Sequence, residues 1–245
     1  MEPPGRNGTG EAMTREEYIH QLLSSYVLVT VLSEKNHCRV LRLRNKATQK
    51  DLVLRSMPQY LEAYEVLCGI RSENLPEIYD VFPMDDGQIV LEEYIDGITV
   101  AQVMESGKYR PRGAKKVLAG VCNALHILHQ RGITHRDVKP ENVMVHNSGR
   151  VVLIDFNASR RLSNSTKDTV IMGTVGYASP EQLGLSQSDA RTDIYAAGVL
   201  LNVMLTGKHP AETFARGRMG RTVRKCTALN PSERYQTVKM LADRL

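Results

Sequence analysis

The stretch His135-Arg-Asp-Val-Lys-Pro-Glu-Asn142 sets a carboxylate, an amine and a carboxamide close together, and Asp155-Phe-Asn157 adds a second carboxylate thirteen residues after Asn142. That set of groups suits phosphoryl transfer, which needs little covalent help but much positioning and charge neutralisation. A carboxylate beside an attacking hydroxyl can orient it and take its proton. An amine can offset phosphate charge, and carboxamide and carboxylate oxygens are hard ligands suited to Mg²⁺. Taken singly, Asp137 or Asn142 reads as a turn or cap residue. With Lys139 and Asp155 in the same set, that bland reading loses ground.

Ala178-Ser-Pro-Glu181 follows, preceded by Gly173-Thr-Val-Gly-Tyr177. In order and spacing, the H-R-D-x-K-x-x-N, D-F-G-like and A-P-E-like segments resemble the protein kinase family of Hanks type, with a compact style similar to bacterial members. The resemblance runs from about Tyr26 to the last residue. It implies an α+β, bilobal fold: a small β-rich lobe over 14–95, a larger α-helical lobe over 96–245 and a cleft between them. It also implies ATP with Mg²⁺ (or Mn²⁺) as cofactors and a Ser or Thr hydroxyl of a protein substrate as acceptor.

Carried over residue by residue, the resemblance makes Asp137 the base and gives Lys139 the γ-phosphate. It makes Asn142 and Asp155 the metal ligands. Asn157 replaces the usual glycine; Asn tolerates left-handed backbone, so a similar turn is expected there. Thr174 with Lys139 resembles serine/threonine rather than tyrosine kinases. Arg136 resembles the arginine of kinases whose activation segment is ordered by phosphate, with Ser163, Ser165, Thr166 and Thr169 as candidate phosphosites. Glu181 is expected to pair with Arg234, and Asp193 to brace the catalytic loop.

The amino-terminal lobe departs from the family pattern. Ser33, Lys35 and Cys38 stand where the glycine-rich loop has glycines, which makes close backbone approach to phosphate harder. The alignment of Leu52-Val-Leu-Arg55 places Arg55 at the usual lysine, and a guanidinium is a planar fork rather than a compact point charge. Ala63 falls where a helical glutamate is expected, leaving Glu62, Glu65 or Glu92 as the carboxylate for Arg55. The ATP contacts expected from the pattern are Arg55, Ser33, Val40, Glu93 and Ile95. An active kinase is the leading reading; a pseudokinase acting as a binding or scaffold module is the alternative.

The elements that must position these residues are legible from periodicity. Thr14-Arg-Glu-Glu17 fits a helix-opening capping box, with Tyr18, Leu22 and Leu23 expected on one face. Strands are expected at Tyr26–Leu32, Arg39–Leu43, Leu52–Leu54, Ile78–Phe82 and Gln88–Tyr94, forming a mainly antiparallel sheet with Tyr60–Ile70 as a helical insertion. After Gly97 the period is helical. Val117, Leu118, Val121, Leu125 and Leu128 make one stripe in Arg112–Gln130, and Gly132 stands where a cap belongs.

Composition excludes little but is consistent. The 245 residues are 42% hydrophobic and 24% charged, an ordinary globular balance. Met1–Met13 has no apolar run, so it reads as a disordered leader rather than a signal peptide. The four cysteines have no C-x-x-C spacing, which points to neither zinc nor disulfides. Residues 206–245 carry nine Lys/Arg against three Asp/Glu, a local excess that accounts for the formal charge of +5. Without aromatic interleaving it reads as a solvated face, not a nucleic-acid surface. No run is long enough to span a bilayer, and a cytoplasmic location is expected, with a tether after Leu245 left open.

Overall fold

The computed structural model describes residues 14–35, 37–161, 174, 176–183 and 188–245. The expected leader at 1–13 and the candidate phosphosites Ser163, Ser165, Thr166 and Thr169 lie outside the described residues. The fold is mixed α+β, in two compact units. One comprises the described residues up to Arg71 with Pro76–Tyr94; the other comprises Ser72–Leu75 with those from Ile95 onward.

The first unit opens with α1 (Arg15–Ser25) and continues through β1 (Tyr26–Lys35), β2 (Cys38–Asn45), β3 (Asp51–Met57), α2 (Glu62–Leu67), β4 (Ile78–Met84) and β5 (Gly87–Glu93). Its sheet has the order β1-β2-β3-β5-β4, with every pairing antiparallel. Alternation divides the strands between two faces. Leu43, Leu52, Leu54, Ile89 and Leu91 form one core with Tyr18 and Leu22 of α1. The Tyr18 ring stacks on Phe82 at 4.5 Å and its hydroxyl donates to Asp80 at 3.0 Å.

The capping box forms: Thr14 Oγ1 accepts from Glu17 N, and Thr14 N donates to Glu17 Oε2. Leu23 departs from expectation. One position past Leu22 it rotates off the buried face and is 41% exposed. The Tyr60–Ile70 helix is also shorter than expected, because Leu61 offers no side-chain cap and the chain turns at Gly69, whose φ is +74°.

The second unit contains β6 (Gly97–Thr99), α3 (Val100–Glu105), α4 (Pro111–His129), β7 (Ile133–Thr134), β8 (Val143–His146), β9 (Val151–Leu153), β10 (Arg160–Arg161), α5 (Ala190–Thr206), α6 (Gly217–Cys226) and α7 (Val238–Ala242). The expected α4 stripe is buried, and Gly132 adopts φ +70° just past the helix end. α5 is apolar on nearly every face and crosses the core. Gly198 lets it meet α6 closely, since a Cβ there would sit 2.3 Å from the Cys226 Cβ. Buried Asn202 satisfies three backbone groups, donating to Lys208 O and Thr213 O and accepting from Ala215 N, each at 2.8 Å. Among the described residues no helix is long and apolar enough to cross a membrane.

Candidate active site

The loop after β7 is fixed from below by Asp193, fully buried in the first turn of α5. Its Oδ2 accepts from His135 N at 2.9 Å and lies 2.8 Å from His129 Nε2, while its Oδ1 accepts from Arg136 N at 2.8 Å. A buried carboxylate taking several donors cannot be exchanged for a neutral group without orphaning some of them. Held in this way, Arg136 adopts φ +69°, a conformation a non-glycine residue keeps only when its surroundings dictate it. The Arg136 carbonyl accepts from Gln182 Nε2 at 2.9 Å.

This backbone reversal places the Asp137 carboxylate among three donors. Oδ2 accepts from Lys139 Nζ at 2.7 Å and from Asn142 Nδ2 at 2.8 Å, and Oδ1 accepts from Thr174 Oγ1 at 2.7 Å. Lys139 Nζ also donates to Thr174 Oγ1 at 2.7 Å. Burial pushes the Asp137 carboxyl up, but the hydrogen bonds from Lys139 and Thr174 and the ammonium charge outweigh it and hold the group below its usual range. The carboxylate is therefore ionised at neutral pH. His135, fully buried, is pushed down by desolvation. Its Nδ1 accepts from Asp137 N at 3.3 Å and its Nε2 faces Ile154 O at 3.3 Å, which suits a neutral ring protonated on Nε2.

Asp155 follows β9. Ile154 N donates to Asn142 O at 2.9 Å, and the buried Phe156 ring meets His135 edge-on at 5.6 Å, so the segment is tied to the loop carrying Asp137. Asp155 is the residue in left-handed geometry, at φ +68°, and Asn157 is not. With Ser159 N donating to Phe156 O at 2.9 Å, a turn still forms at Asn157. The Asn157 amide donates to Asp155 Oδ1 at 3.3 Å, a role open to most residues.

Glu181 and Arg234 form a bidentate pair at 2.6 and 2.9 Å. The other Arg234 donors reach Ala228 O, Arg191 O and Leu229 O, so all five guanidinium hydrogens are used and the side chain is fully buried. Burial pushes the Glu181 carboxyl up, yet Arg234 outweighs it and the net shift is downward. A carboxylate depressed in the folded state stabilises above its unfolded pKa of about 4.3 and loses that contribution as pH falls through the folded value. The stability gap between the wild type and Glu181→Gln should thus be widest near neutrality and close as pH drops below 4.3 toward the depressed folded value. Urea titrations at a series of pH values measure it; a gap constant down to the acid end would contradict this.

In the first unit, cross-strand register sets Ser33 opposite Val40, Val40 opposite Arg55, and Val53 opposite Glu92. These residues occupy the sheet face opposite α1. Arg55 Nε lies 2.6 Å from Glu92 Oε1, with both side chains buried. Of the three carboxylates considered for Arg55, Glu92 on β5 is thus paired with it across the sheet. β1 and β2 stay paired up to Lys35 opposite Cys38. Glu93 N donates to Glu77 O at 2.8 Å; Ile95, buried, belongs to the second unit.

Residues 24–243 match the family model described as the protein kinase domain. The chain belongs to the protein kinase domain family, as a Hanks-type domain with bacterial relatives. It is similar to the serine/threonine-protein kinase PknB of Mycolicibacterium smegmatis and that of Mycobacterium tuberculosis, each 31% identical over 86% of this chain and 40% of the relative. The Mycobacterium leprae PknB is 30% identical over the same shares. The chain spans about 40% of the length of these curated relatives.

Two bonding partners escaped the sequence reading. Gln182 follows Glu181 directly, and only its contact with Arg136 O reveals that it supports the loop. His129 precedes His135 by six residues and shares the same carboxylate, Asp193; the recurrence of histidine at a helix end beside a catalytic-type loop was the available signal.

Proposed function

We propose that this domain transfers the γ-phosphoryl group of ATP to Ser or Thr hydroxyls of protein substrates, in the cytoplasm. The observation that carries the reading is the Asp137 carboxylate, kept ionised and aimed by Lys139, Asn142 and Thr174. Asp137 orients the acceptor hydroxyl and takes its proton. Lys139 offsets charge on the transferred group, and Thr174 fixes the spacing between the two.

The donor set fits a hard cation. Asn142 Nδ2 is committed to Asp137 O at 2.9 Å and to Asp137 Oδ2, which leaves its Oδ1 as the oxygen available to a metal. Asp155 supplies the carboxylate. When bound, Mg²⁺ would neutralise phosphate charge. Arg55 contributes a cation toward the ATP phosphates, held in line by Glu92.

Arg55→Ala should lower nucleotide affinity or transfer rate by about 10–1,000-fold, the scale of one lost charge-stabilising group. Glu92→Gln should move the same quantities in the same direction, and Glu65→Gln should leave them unchanged; nucleotide titration with steady-state kinetics measures all three. The second reading, a pseudokinase, is favoured by Ser33, Lys35 and Cys38 in place of glycines. Peptides offering Ser, Thr or Tyr separate the two: label from Mg-ATP on Ser and Thr supports the kinase, and no label on any acceptor with Mg²⁺ or Mn²⁺ supports the alternative.

A further inference from the structure

On the second unit, a concave recess of about 350 Å³ is lined by Arg218, Arg221, Thr222, Lys225, Tyr235 and Arg244. Arg218, Arg221 and Lys225 recur at three- and four-residue spacing on α6, which places them on one helix face. Gly220, Thr222, Val223 and Cys226 form the buried side, so the cations point outward. Arg244 arrives from the segment after α7. Two separate stretches of chain thus bring four cations to one depression.

Among the described residues, none of the four has a carboxylate within ion-pair distance. Lys225 Nζ sits 4.9 Å from the Tyr235 ring, and the Tyr235 hydroxyl makes no hydrogen bond among the described residues. The N-cap of α6, Arg216, provides no side-chain acceptor, and the first helical turn holds no acid. Surfaces usually intersperse charges of both signs. Converging unpaired cations match a multiply charged anion.

We propose that this recess binds a phosphomonoester, the phosphorylated Ser or Thr side chain of a protein segment. Three of its four cations are arginines, whose planar forks engage phosphate oxygens two at a time. A phosphomonoester presents three acceptor oxygens and about −1.5 to −2 charges, more than any carboxylate side chain. A bilayer is met instead by a broad basic face with several apolar insertions; among the described residues of 206–245, the exposed large apolar side chains are Leu229 and Met240, and neither lines the recess. The recess shares no residue with the Asp137 site. Its occupant is the product class of the proposed kinase reaction, so it would retain a protein that has already been phosphorylated. The inference rests on the kinase reading only for the origin of that ligand.

Fluorescence anisotropy on the full chain without ATP tests it, with labelled Gly- and Ala-flanked peptides carrying Ser, phosphoserine or Glu. The phosphoserine peptide should bind at least about 10-fold tighter than the other two, a difference of about 1.4 kcal/mol, and should weaken as salt rises. Arg221→Gln with Arg244→Gln, both at exposed positions, should abolish the preference without lowering the melting temperature. Equal affinity for Ser and phosphoserine peptides overturns the proposal, as does a preference that survives the double substitution. Sedimentation with phosphatidylserine vesicles in the absence of a phosphopeptide preference overturns it in favour of a membrane surface. Asp137→Asn should keep the preference, which separates failure of this site from failure of the kinase reading.

Discussion

Arg234→Met is expected to lower the unfolding free energy by about 3–5 kcal/mol, the cost of leaving a buried carboxylate without its partner. Glu181 would lose two charge-assisted bonds, and the carbonyls of Ala228, Arg191 and Leu229 would lose their donor. A loss of this size is a large part of the roughly 5–15 kcal/mol that holds a domain folded. Pairing the change with Glu181→Gln should recover only part of it, because the three orphaned carbonyls remain. Denaturant unfolding of the single and double variants measures both effects; a single-variant cost below about 1 kcal/mol would place this pair with exposed salt bridges.

Asp137→Asn is expected to slow phosphoryl transfer by about 10²–10⁴-fold, the usual contribution of a positioned general base. The amide is nearly isosteric. Its oxygen can still accept from Lys139 or Asn142, and its nitrogen can donate to Thr174 Oγ1, so the fold and the nucleotide affinity should survive. The loss should therefore fall on kcat and not on ATP affinity. Equal losses in both would mean that Asp137 organises the nucleotide site instead of acting on the hydroxyl.

The chemistry-bearing residues were legible because their spacing is local. Asp137, Lys139 and Asn142 lie within six residues, and one loop with a 3-10 turn at Pro140–Asn142 brings them together. Thr174 could be matched to a motif, but its bonds to Lys139 and Asp137 cross 35 and 37 residues and depend on tertiary placement. The partner of Arg55 is similar. Glu62 and Glu65 are nearer in sequence, yet strand register puts Glu92 diagonally across from Arg55, and register is not readable from one strand alone.

At Asn157 the expected turn forms, but the tertiary ties of Ile154 and Phe156 put the left-handed conformation on Asp155. Secondary structure followed periodicity well in α1, where the capping box forms, and in α4, which has Pro111 in its first turn and a long apolar stripe. It followed poorly in α2, where no side chain caps the first turn.

The most direct test of the account is the rate at which the chain moves labelled γ-phosphate from Mg-ATP to a Ser/Thr peptide, with Asp137→Asn assayed beside it. The account predicts label in phosphoserine or phosphothreonine for the wild type and a rate lower by at least about 10²-fold for the variant. Equal rates, or no transfer by either protein, would contradict it.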